Sequence, residues 1–184
     1  MKKNFGVKTW LYPMPVFIIA TYNDDGTPDA MNAAWGSISD YGHVALCLSE
    51  THRTTENIYK RKAFTVGIAG AANVVAADYV GVVSANDEPD KFRKSTFTAT
   101  KSGFVDAPVI NEIPMALECE YVKTTEDGLV IGKIVNVSAE ESVLTGGKID
   151  PAKFRPITFD PVNNKYIALG EVVGNAFSDG LKLK

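Results

Sequence analysis

Two turn signatures constrain this chain more than anything else in it. Asn23-Asp24-Asp25-Gly26 and Asp127-Gly128 each lie between runs of β-favouring residues, the strongest short-range signal for an antiparallel hairpin. The first hairpin takes Pro15-Val16-Phe17-Ile18-Ile19-Ala20-Thr21 as one arm and Pro28 to Gly36 as the other. The second pairs Met115 to Tyr121 with Leu129 to Val137. His43 to Leu48, Ala63 to Ala69 and Lys165 to Gly170 read as further strands. Six or so strands, mostly in hairpins and separated by three short helical pieces, predict a mainly β fold with short helices: an antiparallel barrel or closed sheet. A doubly wound parallel fold fits poorly. The glycine cluster Gly67-Ile68-Ala69-Gly70 lacks the three-glycine spacing of a dinucleotide fingerprint, so a pyridine nucleotide would visit rather than reside.

The helical pieces are Glu56 to Lys62 with Thr54 or Thr55 at its cap, Ala71 to Val80 begun by Asn73 and stopped by Gly81, and Lys91 to Lys94 opened by Pro89 and Asp90. The basic residues of the last piece are expected mostly in solvent. Glu118 and Glu120 alternate with apolar neighbours and are expected to face outward or an interface. Pro151 to Asn164 reads as turn-rich, and no internal repeat interrupts the pattern.

The chain has 184 residues and fits one domain, 1–184, better than two. Its net charge of −3 gives no electrostatic reason to expect nucleic acid or an anionic membrane. Cys47 and Cys119 each sit in an apolar run, far apart, which suits buried free thiols and neither a disulfide framework nor a metal site. The two histidines, His43 and His52, have no second ligand at metal spacing. Pro13 and Pro15 interrupt the apolar stretch near the start, and no run is long enough to span a bilayer. A soluble cytoplasmic protein is the expectation.

The chemistry concentrates in two stretches. Ser49-Glu50-Thr51-His52-Arg53-Thr54-Thr55-Glu56-Asn57-Ile58 puts hydroxyls and a guanidinium where a strand hands over to a helix. Free N–H groups of a first helical turn, threonine hydroxyls and the Arg53 fork together suit a phosphate monoester, which carries about −1.5 to −2 charges near neutrality. An ordinary capped helix with a solvated arginine is the plainer alternative. Asp29-Ala30-Met31-Asn32-Ala33-Ala34-Trp35 offers small residues for close approach of a flat ligand, a rigid wall in Trp35, and a donor and acceptor in Asn32. A flat heterocycle with an imide edge, such as a flavin ring, needs that combination. A strand whose tryptophan fills the core is the alternative.

Taken in order, the Pro15–Ile19 strand with its Asp25-Gly26 turn, the Met31–Trp35 arm, Arg53-Thr54-Thr55-Glu56-Asn57-Ile58 and Asp90-Lys91-Phe92 resemble the flavin reductase-like family of FMN-binding split barrels, and its flavoredoxin branch in particular. Ala107–Ile110, Leu117–Cys119, Ile131–Val135 and Tyr166–Gly170 extend the similarity over nearly the whole chain. The resemblance implies an antiparallel FMN-binding split β-barrel and a homodimer with one FMN per subunit. It places Asn32, Ala33, Ala34 and Trp35 by the isoalloxazine, and Ser49, Thr51, His52, Arg53, Thr54, Thr55 and Asn57 by the phosphate. Lys91 and Tyr166 join the flavin site, Lys91 as a positive charge favouring the anionic reduced ring. The implied activity passes electrons from transient NAD(P)H or a redox protein through FMN to an acceptor; a non-catalytic flavin-binding or electron-shuttling protein is the alternative. Two positions depart from the family pattern: Leu129 stands where a histidine is frequent, and Asp29 where an asparagine is frequent.

Overall fold

The computed structural model describes residues 1–184, and both marked turns fold hairpins in it. A short strand β1 (Met14–Pro15) precedes β2 (Phe17–Tyr22) and β3 (Pro28–Ala33), which pair from Phe17 opposite Ala33 to Tyr22 opposite Pro28. Gly26 closes that turn at φ +83°, a conformation glycine adopts without a Cβ clash. There follow β4 (Gly36–Asp40), β5 (His43–Cys47), helix α1 (Arg53–Arg61), β6 (Ala63–Ile68), helix α2 (Val74–Val82) and the single turn α3 (Lys91–Lys94). The second half contributes β7 (Ala99–Lys101), β8 (Pro108–Ile110), the long hairpin β9 (Met115–Thr124) and β10 (Leu129–Ala139), then β11 (Leu144–Thr145), β12 (Lys148–Ile149), α4 (Pro151–Phe154), β13 (Ile157–Asp160) and β14 (Lys165–Ala168).

Seven strands form one antiparallel sheet in the order β3-β2-β6-β9-β10-β5-β4. Its two edge strands are consecutive in the chain and joined only by Ala34 and Trp35. Three virtual bonds from Ala33 to Gly36 reach at most about 11 Å, whereas six strand spacings of a flat sheet would separate the edges by about 29 Å. The sheet therefore curls until its edges meet. At the meeting point a Cβ on Gly36 would lie 3.0 Å from the Phe17 ring of β2 and 2.7 Å from Leu46 of β5, so only glycine lets the seam close.

The curl divides the core by the alternation of the strands. Phe17, Ile19, Met31, Val44, Leu46, Phe64, Val66 and Leu117 point to one side and pack with Ile58 of α1. Val16, Ile18, Ala20 and Ala30 point to the other and pack under Ala77 and Val80 of α2, Phe92 of α3 and Ile157 of β13.

Several expectations are corrected. The returning arm of the first hairpin ends at Ala33, and Gly36 starts a separate strand on the opposite edge. Gly81 does not stop α2, which runs to Val82; it lies against β3, where a Cβ would come within 2.9 Å of Asn32. The stretch 151–164 holds α4 and β13 rather than turns alone, and fourteen strands replace the expected six or so. Glu118 does not face outward: it is buried, accepting hydrogen bonds from Ser102 Oγ and, at 2.6 Å, from Asn136 Nδ2. A carboxylate on an inward position is tolerated because those donors replace water. Glu120 is exposed as expected.

Candidate functional site

The start of α1 is built differently from a capped helix. The helix begins at Arg53, its N-cap is His52 in extended geometry, and no side chain caps it. Thr54 and Thr55, expected at the cap, lie inside the first turn and are buried. Thr54 Oγ1 donates instead to Asp29 Oδ2 of β3 at 2.5 Å, a partner that local sequence cannot reveal. Thr55 Oγ1 is buried with no partner at all. The N–H groups of Arg53, Thr54 and Thr55 likewise have no acceptor; Glu56 N–H, bonded to His52 O, is the first that does.

Around this open turn the polar side chains are organised. Ser49 and Thr51 are exposed and share a 2.9 Å hydrogen bond. Asn86 bridges the corner: its Nδ2 donates to Thr51 O at 3.0 Å and its Oδ1 accepts from Arg53 Nε at 3.2 Å. Arg53 also stands 3.7 Å from Glu56, an exposed pair of little energetic weight. Lys91, expected by the flavin or on the surface, is buried at the first position of α3 and makes no ion pair in contact. Burial holds its ammonium below the usual lysine range, and Asp29 opposes that shift. Burial likewise pushes the Asp29 carboxyl up, opposed first by the Thr54 hydroxyl and then by the Lys91 charge. His52 is exposed. Asn57 is committed elsewhere, its Nδ2 tied to Thr21 Oγ1 at 3.2 Å and Asn23 Oδ1 at 2.9 Å, which braces α1 on the first hairpin.

Two residues before Ser49, β5 ends at Cys47 in the wall of an open cavity of about 1030 Å³. Trp35, Ala34, Leu129 and the N-terminal segment's Trp10 also line it, and most of its lining residues are hydrophobic. Trp35 is 51% exposed, so it is a wall and not a core residue. Cys47 is exposed too, which corrects the expected buried thiol; it sits directly opposite Leu129 in the β5–β10 ladder, on the side facing the cavity. Cys119 is buried as expected.

The other predicted residues fall on a neighbouring seam. Ala33 is buried at the end of β3. Asn32 Nδ2 donates to Ala77 O of α2 at 2.9 Å, and Tyr166 OH donates to Asp78 Oδ1 at 2.8 Å. Burial and then the Asp78 carboxylate push the Tyr166 phenol up to about 12. The structure thus gathers Ser49, Thr51, Arg53, Thr54, Thr55 and Lys91 at one corner, Ala34 and Trp35 at the cavity, and Asn32 with Tyr166 at the α2 seam. Sequence reasoning missed Asn86, Asp78 and Trp10. Only Asn86 carries a local signal, lying in the turn-rich Ser84-Ala85-Asn86-Asp87-Glu88-Pro89.

Comparison with known proteins agrees with this architecture. The flavin reductase like domain matches residues 9–158. The flavoredoxin of Desulfovibrio vulgaris (Miyazaki F) is 39% identical with a TM-score of 0.94, covering 98% of this chain and 100% of its own. A flavoredoxin from Methanosarcina acetivorans is 27% identical with a TM-score of 0.86, covering 100% of this chain and 98% of its own. An FMN-binding domain of a flavin reductases-like enzyme from Shewanella baltica, 19% identical, shares the fold with a TM-score of 0.78 over 88% of each chain. No curated protein sequence matches the chain. The chain belongs to the flavin reductase-like family, and its curled half-barrel sheet is that family's split barrel.

Proposed function

We propose that this member of the flavin reductase-like family binds FMN and acts as an oxidoreductase of the flavoredoxin kind, passing electrons from NAD(P)H or a redox protein to an acceptor. The observation that carries this reading is the orphaned Thr55 hydroxyl at an uncapped helix start, one short loop along from the Cys47 wall of a mostly apolar cavity. A buried hydroxyl without a partner costs stability unless a ligand satisfies it, and the three free N–H groups of the same turn can donate to that ligand. A phosphate fits that donor set. The Arg53 guanidinium and the Ser49 and Thr51 hydroxyls stand at its edge, and Trp35, Ala34 and Leu129 offer the flat ring an apolar seat.

Bound FMN supplies the hydride and electron-transfer chemistry. This chain's residues hold and orient the ring, exclude water from it, and set its electrostatics through Lys91. The exposed Trp35, Ile38, Tyr41 and Leu169 support a homodimer, since so much apolar surface on and beside the unpaired β4 edge is costly in a monomer. Leu129, which brings no hydrogen-bonding group to the cavity, favours a second reading as an electron shuttle without its own NAD(P)H activity.

The visible spectrum of the purified protein tests the proposal. It is expected to bind FMN and to be bleached anaerobically by NADH or NADPH. Flavin that binds but stays oxidised with both leaves the shuttle reading, and FMN that neither colours the protein nor raises its melting temperature ends both. Arg53→Ala is expected to weaken FMN more than riboflavin, and equal losses would remove Arg53 from the phosphate.

A further inference from the structure

We propose that Asp29 is a proton-linked brake on the anion corner: binding of a phosphate monoester at the start of α1 draws one proton from solvent onto the Asp29 carboxylate. The inference rests on the phosphate reading above and concerns a residue that the reading itself does not use. Asp29 is 2% exposed, and its carboxylate reaches the first turn of α1 through the 2.5 Å hydrogen bond from Thr54. The N–H groups of that turn and the Thr55 hydroxyl beside it await an acceptor.

The groups that bear on Asp29 are few. Lys91 from α3 and Arg53 from α1 act on it by charge without touching it. Strand β2 opposes it with the uncharged Thr21. The titratable residues of α2 are Asp78, held by Tyr166, and Tyr79. No cation is in contact to hold the carboxylate ionised, and burial already favours its neutral form.

A phosphate arriving with about −1.5 to −2 charges adds a like charge one short side chain away from this carboxylate. A second anion this near a buried carboxylate disfavours its ionised form, so the carboxyl pKa rises further. One proton is taken from solvent and one negative charge is lost. Protonated Asp29 keeps a carbonyl oxygen to accept from Thr54, so the first turn need not move.

The sign follows from linkage. The Asp29 pKa is higher in the complex than in the free protein, so affinity is greatest below the free value, declines as pH rises between the two, and levels off above the bound one. Ionisation of the phosphate itself, near pH ~6, pushes the other way. Lys91 is the rival proton acceptor, since an anion would raise its pKa as well.

Calorimetric titration of FMN and of riboflavin into the full chain, in two buffers of different ionisation enthalpy, counts the protons. At pH ~5.5, within reach of a carboxyl raised above its ordinary range, the wild type is expected to take up more protons with FMN than Asp29→Asn does, and no more with riboflavin. Well above that pH, Asp29→Asn is expected to bind FMN about tenfold tighter than the wild type, from the removal of one nearby like charge. Equal proton counts in the two proteins assign any uptake to Lys91 or to the phosphate and overturn the proposal. FMN bound no tighter than riboflavin by either protein would instead sink the phosphate reading beneath it. Should the variant fail to fold, carbon-13 NMR of Asp-labelled wild type reads the Asp29 carboxyl directly: protonation on FMN addition supports the proposal, and an unchanged carboxylate overturns it.

Discussion

At Glu118 the polar groups close on themselves, and at the start of α1 they do not. Glu118 accepts from Ser102 and Asn136, and the same Ser102 oxygen accepts from the N–H groups of Phe104 and Val105, so one buried carboxylate pins a loop onto the sheet. Asp29 is buried as deeply, yet it has one hydroxyl donor, and the helix turn it touches keeps an orphaned threonine and three open N–H groups. Both sites desolvate an acid. The first recovers that cost within the chain; the second leaves part of it to be recovered by something outside. That difference marks Glu118 as a structural polar node and sets it apart from the proposed binding corner at the start of α1.

The comparison breaks most visibly at Glu118. Glu118→Ala strands a buried serine hydroxyl and an asparagine amide, and a loss of about 2–4 kcal/mol is expected in urea unfolding. The ratio of FMN to riboflavin affinity should not move. If stability holds and that ratio changes, the node is not structural and the contrast fails. Thr54→Val is next: it removes the one side-chain hydrogen-bond donor to Asp29 and is expected to cost about 1–3 kcal/mol.

Thr55→Val sharpens the contrast because the two threonines are neighbours with opposite expectations. Replacing an unpartnered buried hydroxyl by a methyl of the same shape should leave the free protein unchanged or up to about 1 kcal/mol more stable. FMN affinity should fall roughly tenfold or more, the worth of one hydrogen bond to a charged group, with riboflavin affinity unmoved. A destabilised free protein would mean that the hydroxyl has a partner within the chain.

What the sequence made legible follows the range of the interactions concerned. Hairpins are written in adjacent residues, and Asp25-Gly26 and Asp127-Gly128 mark β2–β3 and β9–β10 because glycine at positive φ is a local demand. The order of those hairpins also carried the family resemblance. Strand β13 was illegible, since Ile157–Asp160 is short, follows a proline and owes its existence to pairing with β1 and β14. The cap of α1 was misread for the same reason: a threonine before a helix ordinarily caps it, and only the distant Asp29 diverts the Thr54 hydroxyl. Burial of Glu118 depends on Ser102 and Asn136, which no alternation pattern announces. Trp35 had two readings, core or wall, and the curl that exposes it is a property of all seven strands.

The smallest expected effect leaves stability untouched and still tests where the cavity and the corner join. Cys119 is fully buried, and burial pushes its thiol up to about 12, so almost no thiolate exists near neutrality. Cys47 is exposed in the cavity wall beside Trp35, whose carbonyl accepts from the Cys47 N–H at 2.8 Å. Iodoacetamide should therefore label Cys47 alone in the folded protein and reach Cys119 only after unfolding. Saturating FMN should slow the Cys47 reaction severalfold if the ring sits against Trp35, while inorganic phosphate, confined to the start of α1, should not. Protection by both would place the anion in the cavity and dissolve the distinction between the two regions. Protection by neither, with Thr55→Val still weakening FMN, would keep the corner as the grip on the phosphate and move the ring to another face of the sheet.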